Sequence, residues 1–454
     1  MENKNKKEIF SSGLGVFFAT LGSAVGLGNI WKFPYIVGEN GGAAFLVIYF
    51  ACILLVGLPV MISEFFIGRK TRKNVLGAVN ALKPKQPFWK TLGVFGLMAA
   101  YMIMFFYSAV AGWVYSYILK SLRGDFNNID IASASNQFNN AILGPISPVI
   151  WQIIAVVVVC TILLFGVKNG IERVTKTLMP ILFILILICD VRSLLLPGAS
   201  KGLTFLFKPD FSHVTVAVVI AAMGLAFFKL SLGMGTMITY SSYFTEDNDM
   251  IYTAGRVALA DTIVSLLAGI AIFPAVFSFN VKPDAGSGLL FKIIPMVFSK
   301  LPFGNILLAI FFILAGIAAT TAMISMMEVI IAYFTEEKGI SRRKAVIING
   351  LIIIVVGIFP ALSVHPKSIF ASITIIGSKG IFDSLDWISS SLLLPLGGLI
   401  ISILVGHFID KNSVREELTN GGKTSQKVFN VYYYIVKYIT PILLVIVFLS
   451  GLIK

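Results

Sequence analysis

Asparagine, lysine and proline set among glycines in an apolar segment are residue types suited to binding, and poorly suited to plain helix. The stretch Gly22-Ser-Ala-Val-Gly-Leu-Gly-Asn-Ile-Trp-Lys-Phe-Pro34 has this make-up: Gly22, Gly26 and Gly28, then Asn29, Lys32 and Pro34. Each glycine weakens a helix by about 1 kcal/mol relative to alanine, and unwound backbone survives at membrane depth only where it lines a protected cavity. A broken helix there offers bare carbonyls, amides and dipole ends to a small ion or a zwitterion. A small-residue packing face would account for Gly22 and Gly26 but leaves Asn29 and Lys32 unexplained. A second stretch, Phe227-Phe-Lys-Leu-Ser-Leu-Gly-Met-Gly235, repeats the pattern with Lys229, Ser231, Gly233 and Gly235.

The elements that must position these residues are membrane helices. The 454-residue chain is 57% hydrophobic and 13% charged, and apolar runs of membrane-spanning length recur throughout. Hydropathy predicts about eleven spans, near 13–37, 43–67, 92–120, 149–166, 174–196, 214–243, 252–279, 304–334, 344–361, 380–408 and 432–452. The net charge of +14 does not point to nucleic acid. Lys and Arg gather in loops, as in Arg69–Lys73, Lys168–Lys176 and Arg342–Lys344, the positive-inside pattern. Residues 1–12 therefore read as a cytoplasmic tail, with the rest a multi-pass domain of the plasma (inner) membrane. Lys282, Lys292 and Lys300 fall on the external side, and Lys454 would also lie outside. The loops 121–148 and 280–303 are long and both expected outside, the second with short helices of its own. Cys52, Cys160 and Cys189 are scattered, as are His213, His365 and His407, so neither a disulfide framework nor a metalloenzyme is supported.

Two interrupted segments five spans apart predict an inverted repeat sharing one central site. The expected fold is thus an all-α polytopic membrane protein with unwound helices 1 and 6. The five-plus-five repeats cover about 13–196 and 214–408, with an extra helix at 432–452, in a single domain over 13–454.

The glycine-rich stretch, Glu39-Asn-Gly-Gly42 and Ser231-Leu-Gly-Met-Gly-Thr-Met-Ile-Thr-Tyr240 together resemble the neurotransmitter:sodium symporter family, in particular its bacterial amino-acid branch with eleven spans. The resemblance implies secondary active transport of an amino acid by alternating access, with no enzyme activity and no organic cofactor. It implies a substrate pocket of Ser23, Ala24, Leu27 and Gly28 on helix 1, and Ile103 and Tyr107 on helix 3. Helix 6 would add Phe228, Lys229, Ser231 and Met234, and helix 8 Ala322 and Met326. Amides at Leu27 and Gly28 with the Tyr107 hydroxyl suit a carboxylate, while carbonyls near Ala24 and Phe228 suit an ammonium. Relatives that carry monoamines have aspartate where this chain has Gly26, so a substrate with its own carboxylate is expected, neutral and apolar or aromatic.

The resemblance also marks departures. The family's first sodium site maps to Ala24, Asn29, Lys229 and Asp261, where position 229 is normally Thr or Ser. A charged lysine has no acceptor lone pair and cannot coordinate sodium. Unpaired at mid-membrane it costs about 2.5–3.5 kcal/mol, so its ammonium is expected either on Asp261 or facing the substrate carboxylate. The second sodium site maps to Gly22, Val25, Ala318 and Thr321, with Ala322 replacing the usual serine. At most one sodium is expected, and a sodium-independent carrier, proton-coupled carrier or exchanger is an alternative, as is a non-transporting amino-acid sensor. A channel is disfavoured by the paired gates. With Lys229 and Asp261 beside Ser265, no chloride requirement is expected.

Lys32 with Asp386 and Asp383 map to the outer gate, and Lys7, Phe10, Tyr243 and Glu336 to the inner one. Gly170 and Pro180 match a motif linked to unwinding of helix 5. The expected partners are the amino-acid substrate and the lipid bilayer.

Overall fold

The computed structural model describes residues 7–83, 85–142, 146–279, 288–365, 368–420 and 424–453. Residues 1–6 of the expected tail, together with Lys282 and Lys454, lie outside them. Among the described residues nine helices are long and apolar enough to cross a membrane unbroken. These are spans 2 (Ala43–Thr71), 3 (Pro87–Arg123), 4 (Ser147–Leu164), 5 (Val167–Leu194), 7 (Met250–Ser278), 8 (Gly304–Glu336), 9 (Arg342–Ser363), 10 (Ile381–Phe408) and 11 (Gln426–Leu452).

The other two are interrupted where the glycines and polar residues predict. Span 1 consists of Gly13–Ala24 and Gly28–Glu39, bent by 52°. Span 6 consists of Val216–Lys229 and Thr236–Ser241, joined by non-helical residues. The fold is therefore an all-α polytopic bundle with unwound helices 1 and 6.

Local chemistry explains both breaks. At Val25 the backbone turns extended, φ −76° and ψ 105°, ending the first half of span 1. In span 6, Gly233 and Gly235 adopt φ of 81° and 82°, and Ser231 has φ 53°. Left-handed backbone costs an ordinary residue about 1–3 kcal/mol. At Gly233 a side chain is also excluded sterically, since a Cβ would sit 2.3 Å from the Leu394 carbonyl oxygen. The freed polar groups find partners. The Ser231 hydroxyl donates to the Ser23 carbonyl at 2.8 Å, tying the two breaks together. The buried Glu64 carboxylate of span 2 accepts from the Gly233 amide at 2.7 Å and the Ile238 amide at 3.3 Å.

Span 8 runs through the centre and is apolar on nearly every side, as a helix surrounded by others must be. Spans 4, 5 and 11 sit at the periphery and expose Ile150, Val157, Ile184, Leu187, Ile442 and Leu449, an apolar exterior suited to lipid. The connections carry short helices at Ile131–Ile142 and Ile294–Ser299, within the two loops expected to be long.

Candidate functional site

Between the two breaks lies a pocket lined by Ser23, Ala24, Gly26 and Gly28 from span 1, and Ile103 and Tyr107 from span 3. Phe228, Lys229, Ser231 and Met234 from span 6, with Ala322 and Met326 from span 8, complete it. All the pocket residues expected from the sequence converge there except Leu27, which lines the larger cavity above. The pocket encloses about 30 Å³ of free space, whereas the cavity above it measures about 570 Å³. Gly28, Tyr107 and Phe228 line both.

The Leu27 amide donates to the Tyr107 hydroxyl oxygen at 2.9 Å. This corrects the expectation that it is free for a ligand. The bond leaves the Tyr107 hydroxyl proton to be given to an acceptor in the pocket. The Ser23 hydroxyl is fully buried with no hydrogen-bond partner among the described residues. At Gly26 a Cβ would lie 3.1 Å from both the Tyr107 hydroxyl and the Ala322 Cβ, so a side chain there would press on both.

Lys229 ends the first half of span 6 with its stem beside the pocket: its Cγ lies 3.5 Å from where a Cβ on Gly28 would stand. Its ammonium turns away to Asp261 of span 7, with Nζ 3.0 Å from Oδ2 and both side chains fully buried. Of the two orientations open from sequence, the pairing with Asp261 is the one present. Nζ also donates to the Tyr49 hydroxyl at 2.7 Å and to the Ser265 hydroxyl. Asn29 joins this cluster, with Nδ2 2.6 Å from Asp261 Oδ1 and 3.0 Å from Ser265 Oγ. Its Oδ1 accepts from the Gly26 amide at 3.1 Å.

Near Gly22 and Val25, Thr321 of span 8 donates its hydroxyl proton to the carbonyls of Ile317 and Ala318, at 3.1 and 3.2 Å. The Thr321 oxygen lone pairs remain for an electrophile. Position 322 adds no oxygen.

Lys32 and Asp386 face each other across the mouth of the large cavity at 3.8 Å. The Lys32 ammonium also lies 4.0 Å from the Phe228 ring centroid. Asp383 lines the same cavity. At the opposite end Lys7 pairs with Glu336 at 2.6 Å and donates to the Arg72 carbonyl at 2.9 Å. Burial lowers the Lys7 amine below its ordinary pKa, with Glu336 opposing the shift. Phe10 is buried edge-on against Tyr240 and Tyr243, and its amide donates to the Tyr243 carbonyl at 3.0 Å.

Behind them is a pair that the sequence reading missed. Tyr243 donates to Glu328 at 2.7 Å, and Arg342 grips the same carboxylate through two bonds of 2.6 and 2.9 Å. Gly170 sits in a wide turn, Val167–Glu172, that runs straight into the helix holding Pro180. Helix 5 is thus wound here. Glu172 in that turn accepts from the Ser11 amide and hydroxyl at 2.7 and 2.6 Å.

Comparison with known proteins follows the same lines. The model of the sodium:neurotransmitter symporter family matches residues 7–143 and 135–454. The chain belongs to this family. Among its relatives within the symporter family is an uncharacterised sodium-dependent transporter, YhdH of Bacillus subtilis, 36% identical over 99% of this chain and 98% of that protein. An uncharacterised sodium-dependent transporter of Haemophilus influenzae is also 36% identical, over 99% of each chain. The crystal structure of MhsT in complex with L-phenylalanine is similar at a TM-score of 0.91 and 40% identity, covering 98% of this chain and 100% of that one.

Proposed function

We propose that this symporter-family transporter moves neutral apolar or aromatic amino acids by alternating access across a plasma (inner) membrane, its N-terminus cytoplasmic. In this reading the Lys229 ammonium replaces the first sodium ion. The observation that carries it is the Lys229–Asp261 pair, a fixed cation at the junction of spans 1, 6 and 7. A sodium ion about 4 Å from that ammonium would be repelled by roughly 4 kcal/mol even at an effective dielectric of 20.

The pocket's own groups suit an amino acid. The Tyr107 hydroxyl donates to the carboxylate, strengthened by the amide bond it accepts from Leu27. Carbonyls near Ala24 and Phe228 take the ammonium, and Ser23 offers the partner that its hydroxyl lacks. Ile103, Met234, Met326 and Phe228 shape the space for the side chain, and the methionines can repack to enlarge it. The bound phenylalanine of MhsT supports an aromatic or apolar substrate.

Lys32 and Asp386, with Asp383 beside them, act as the outer gate. Lys7, Phe10, Tyr243 and Glu336 act as the inner gate, with Gly170 and Pro180 as the unwinding point of helix 5. A single sodium is held by carbonyls of Gly22, Val25 and Ala318 with the Thr321 oxygen. The relatives' names as sodium-dependent transporters support this remaining site. Chloride is not required, because the Lys229–Asp261 pair beside Ser265 already balances the local charge.

The test is uptake by purified protein in vesicles, with sodium and pH gradients imposed separately. Amino-acid accumulation on an inward sodium gradient, with a stoichiometry of one, is expected. Accumulation on a pH gradient alone would make the carrier proton-coupled, and binding without uptake would make it a sensor.

A further inference from the structure

The Lys229 side chain has the reach to point its ammonium into the pocket, yet the ammonium turns to the opposite side. A lysine ammonium has three protons to donate and accepts nothing. Here two hydroxyls accept from it, Tyr49 at 2.7 Å and Ser265, and Asp261 Oδ2 faces its charge at 3.0 Å as the ion-pair partner. Ser265 gives its own proton to the Asp261 carbonyl at 2.9 Å, so toward Lys229 it acts as an acceptor. The Phe33 ring completes the enclosure, with Nζ 4.8 Å from its centroid. Cation–π contacts of this kind strengthen when desolvated, and Phe33, Tyr49 and Lys229 are all buried.

We propose that Tyr49 is a positioning residue that fixes Lys229 as a structural cation and keeps it from becoming a ligand for the substrate carboxylate. The inference rests on the reading that the pocket takes an amino acid and that Lys229 stands in for sodium. With Tyr49 in place the ammonium is held by two hydroxyl acceptors and the Asp261 charge. With the Tyr49 hydroxyl removed, one buried N–H has no acceptor. A substrate carboxylate in the pocket, which the lysine stem lines, would then offer that N–H an acceptor.

The experiment measures the binding of an amino acid and of its carboxamide analogue, in which a neutral amide replaces the carboxylate, to purified Tyr49→Phe, which keeps the ring and loses only the oxygen. The ratio of affinities, amino acid over carboxamide, should rise roughly tenfold, as expected for one hydrogen bond to a charged group. The same substitution in a Lys229→Thr background should leave that ratio unchanged. A merely structural role would weaken both ligands alike and do so in both backgrounds. That result, or an unchanged ratio in Tyr49→Phe, overturns the proposal. Should Tyr49→Phe fail to fold, the parent is compared with Lys229→Met: a lysine held off the carboxylate leaves the ratio unchanged, and a fall of roughly tenfold in Lys229→Met overturns the proposal. Sodium titration of the Lys229→Thr protein reports separately on the surrogate reading. If sodium does not promote substrate binding there, that reading fails, while the affinity ratio still judges Tyr49.

Discussion

Replacing Lys229 by threonine restores the family's hydroxyl ligand and removes the cation in one step, so it tests the core of the proposed mechanism. In the parent, Nζ and Asp261 Oδ2 are 3.0 Å apart and fully buried. Removing one partner of a buried pair leaves the other charge uncompensated, at a cost of about 3–5 kcal/mol. Asp261 would remain beside Asn29, with the new Thr hydroxyl and the carbonyl of Ala24 close by, and these are sodium ligands by type. At 100 times its dissociation constant, sodium should then return about 2.7 kcal/mol. Thermal unfolding of the purified protein in sodium against choline measures the difference. Lys229→Thr should melt below the parent in choline and recover most of the loss in sodium. Lys229→Met, which keeps volume but supplies no oxygen, should gain from sodium only what the parent gains through the site at Thr321. Equal sodium responses in the threonine and methionine variants, or a parent that responds as strongly as Lys229→Thr, would refute the reasoning.

Asp386→Asn weakens the 3.8 Å contact with Lys32 and should slow uptake more than it weakens equilibrium binding; unchanged uptake would remove the pair from the cycle. Glu172→Gln weakens the clamp on Ser11 at the start of span 5 and should raise hydrogen exchange in residues 11–15 and 167–172 together. Exchange confined to one segment would show that the two are independent.

Hydropathy was sufficient for the spans because each is long and nearly free of charge. The breaks in spans 1 and 6 were legible because glycines and polar side chains coincide there, a combination that packing alone does not require. Tyr49 was not legible. A tyrosine in an apolar span is ordinary, and only the folded geometry brings its hydroxyl to Nζ from span 2. Glu64 was a missed signal, since a carboxylate in an apolar run needs partners, and it finds them in the amides that the break in span 6 frees. Glu328 and Arg342 lie 14 positions apart on different spans, so nothing in their spacing suggested a pair. The direction of the Lys229 ammonium was equally hidden, because a flexible stem reaches both sides of the helix.

The charged contacts also differ in how readily they can be broken. Lys32 and Asp386 are 24% and 38% exposed at 3.8 Å, a pair worth at most about 1 kcal/mol, which suits a contact that must open in every cycle. Lys7 and Glu336 are each 25% exposed, again within reach of water once the tail moves. Lys229 and Asp261 have no such exposure, and separating them would strand two charges in the bundle interior. The gating pairs can therefore make and break while the core pair stays closed. A cation joined covalently to the chain is never released on the far side of the membrane, so it can organise the site but carries no energy from an ion gradient. In the proposed mechanism that energy enters through the remaining site, at Gly22, Val25, Ala318 and Thr321.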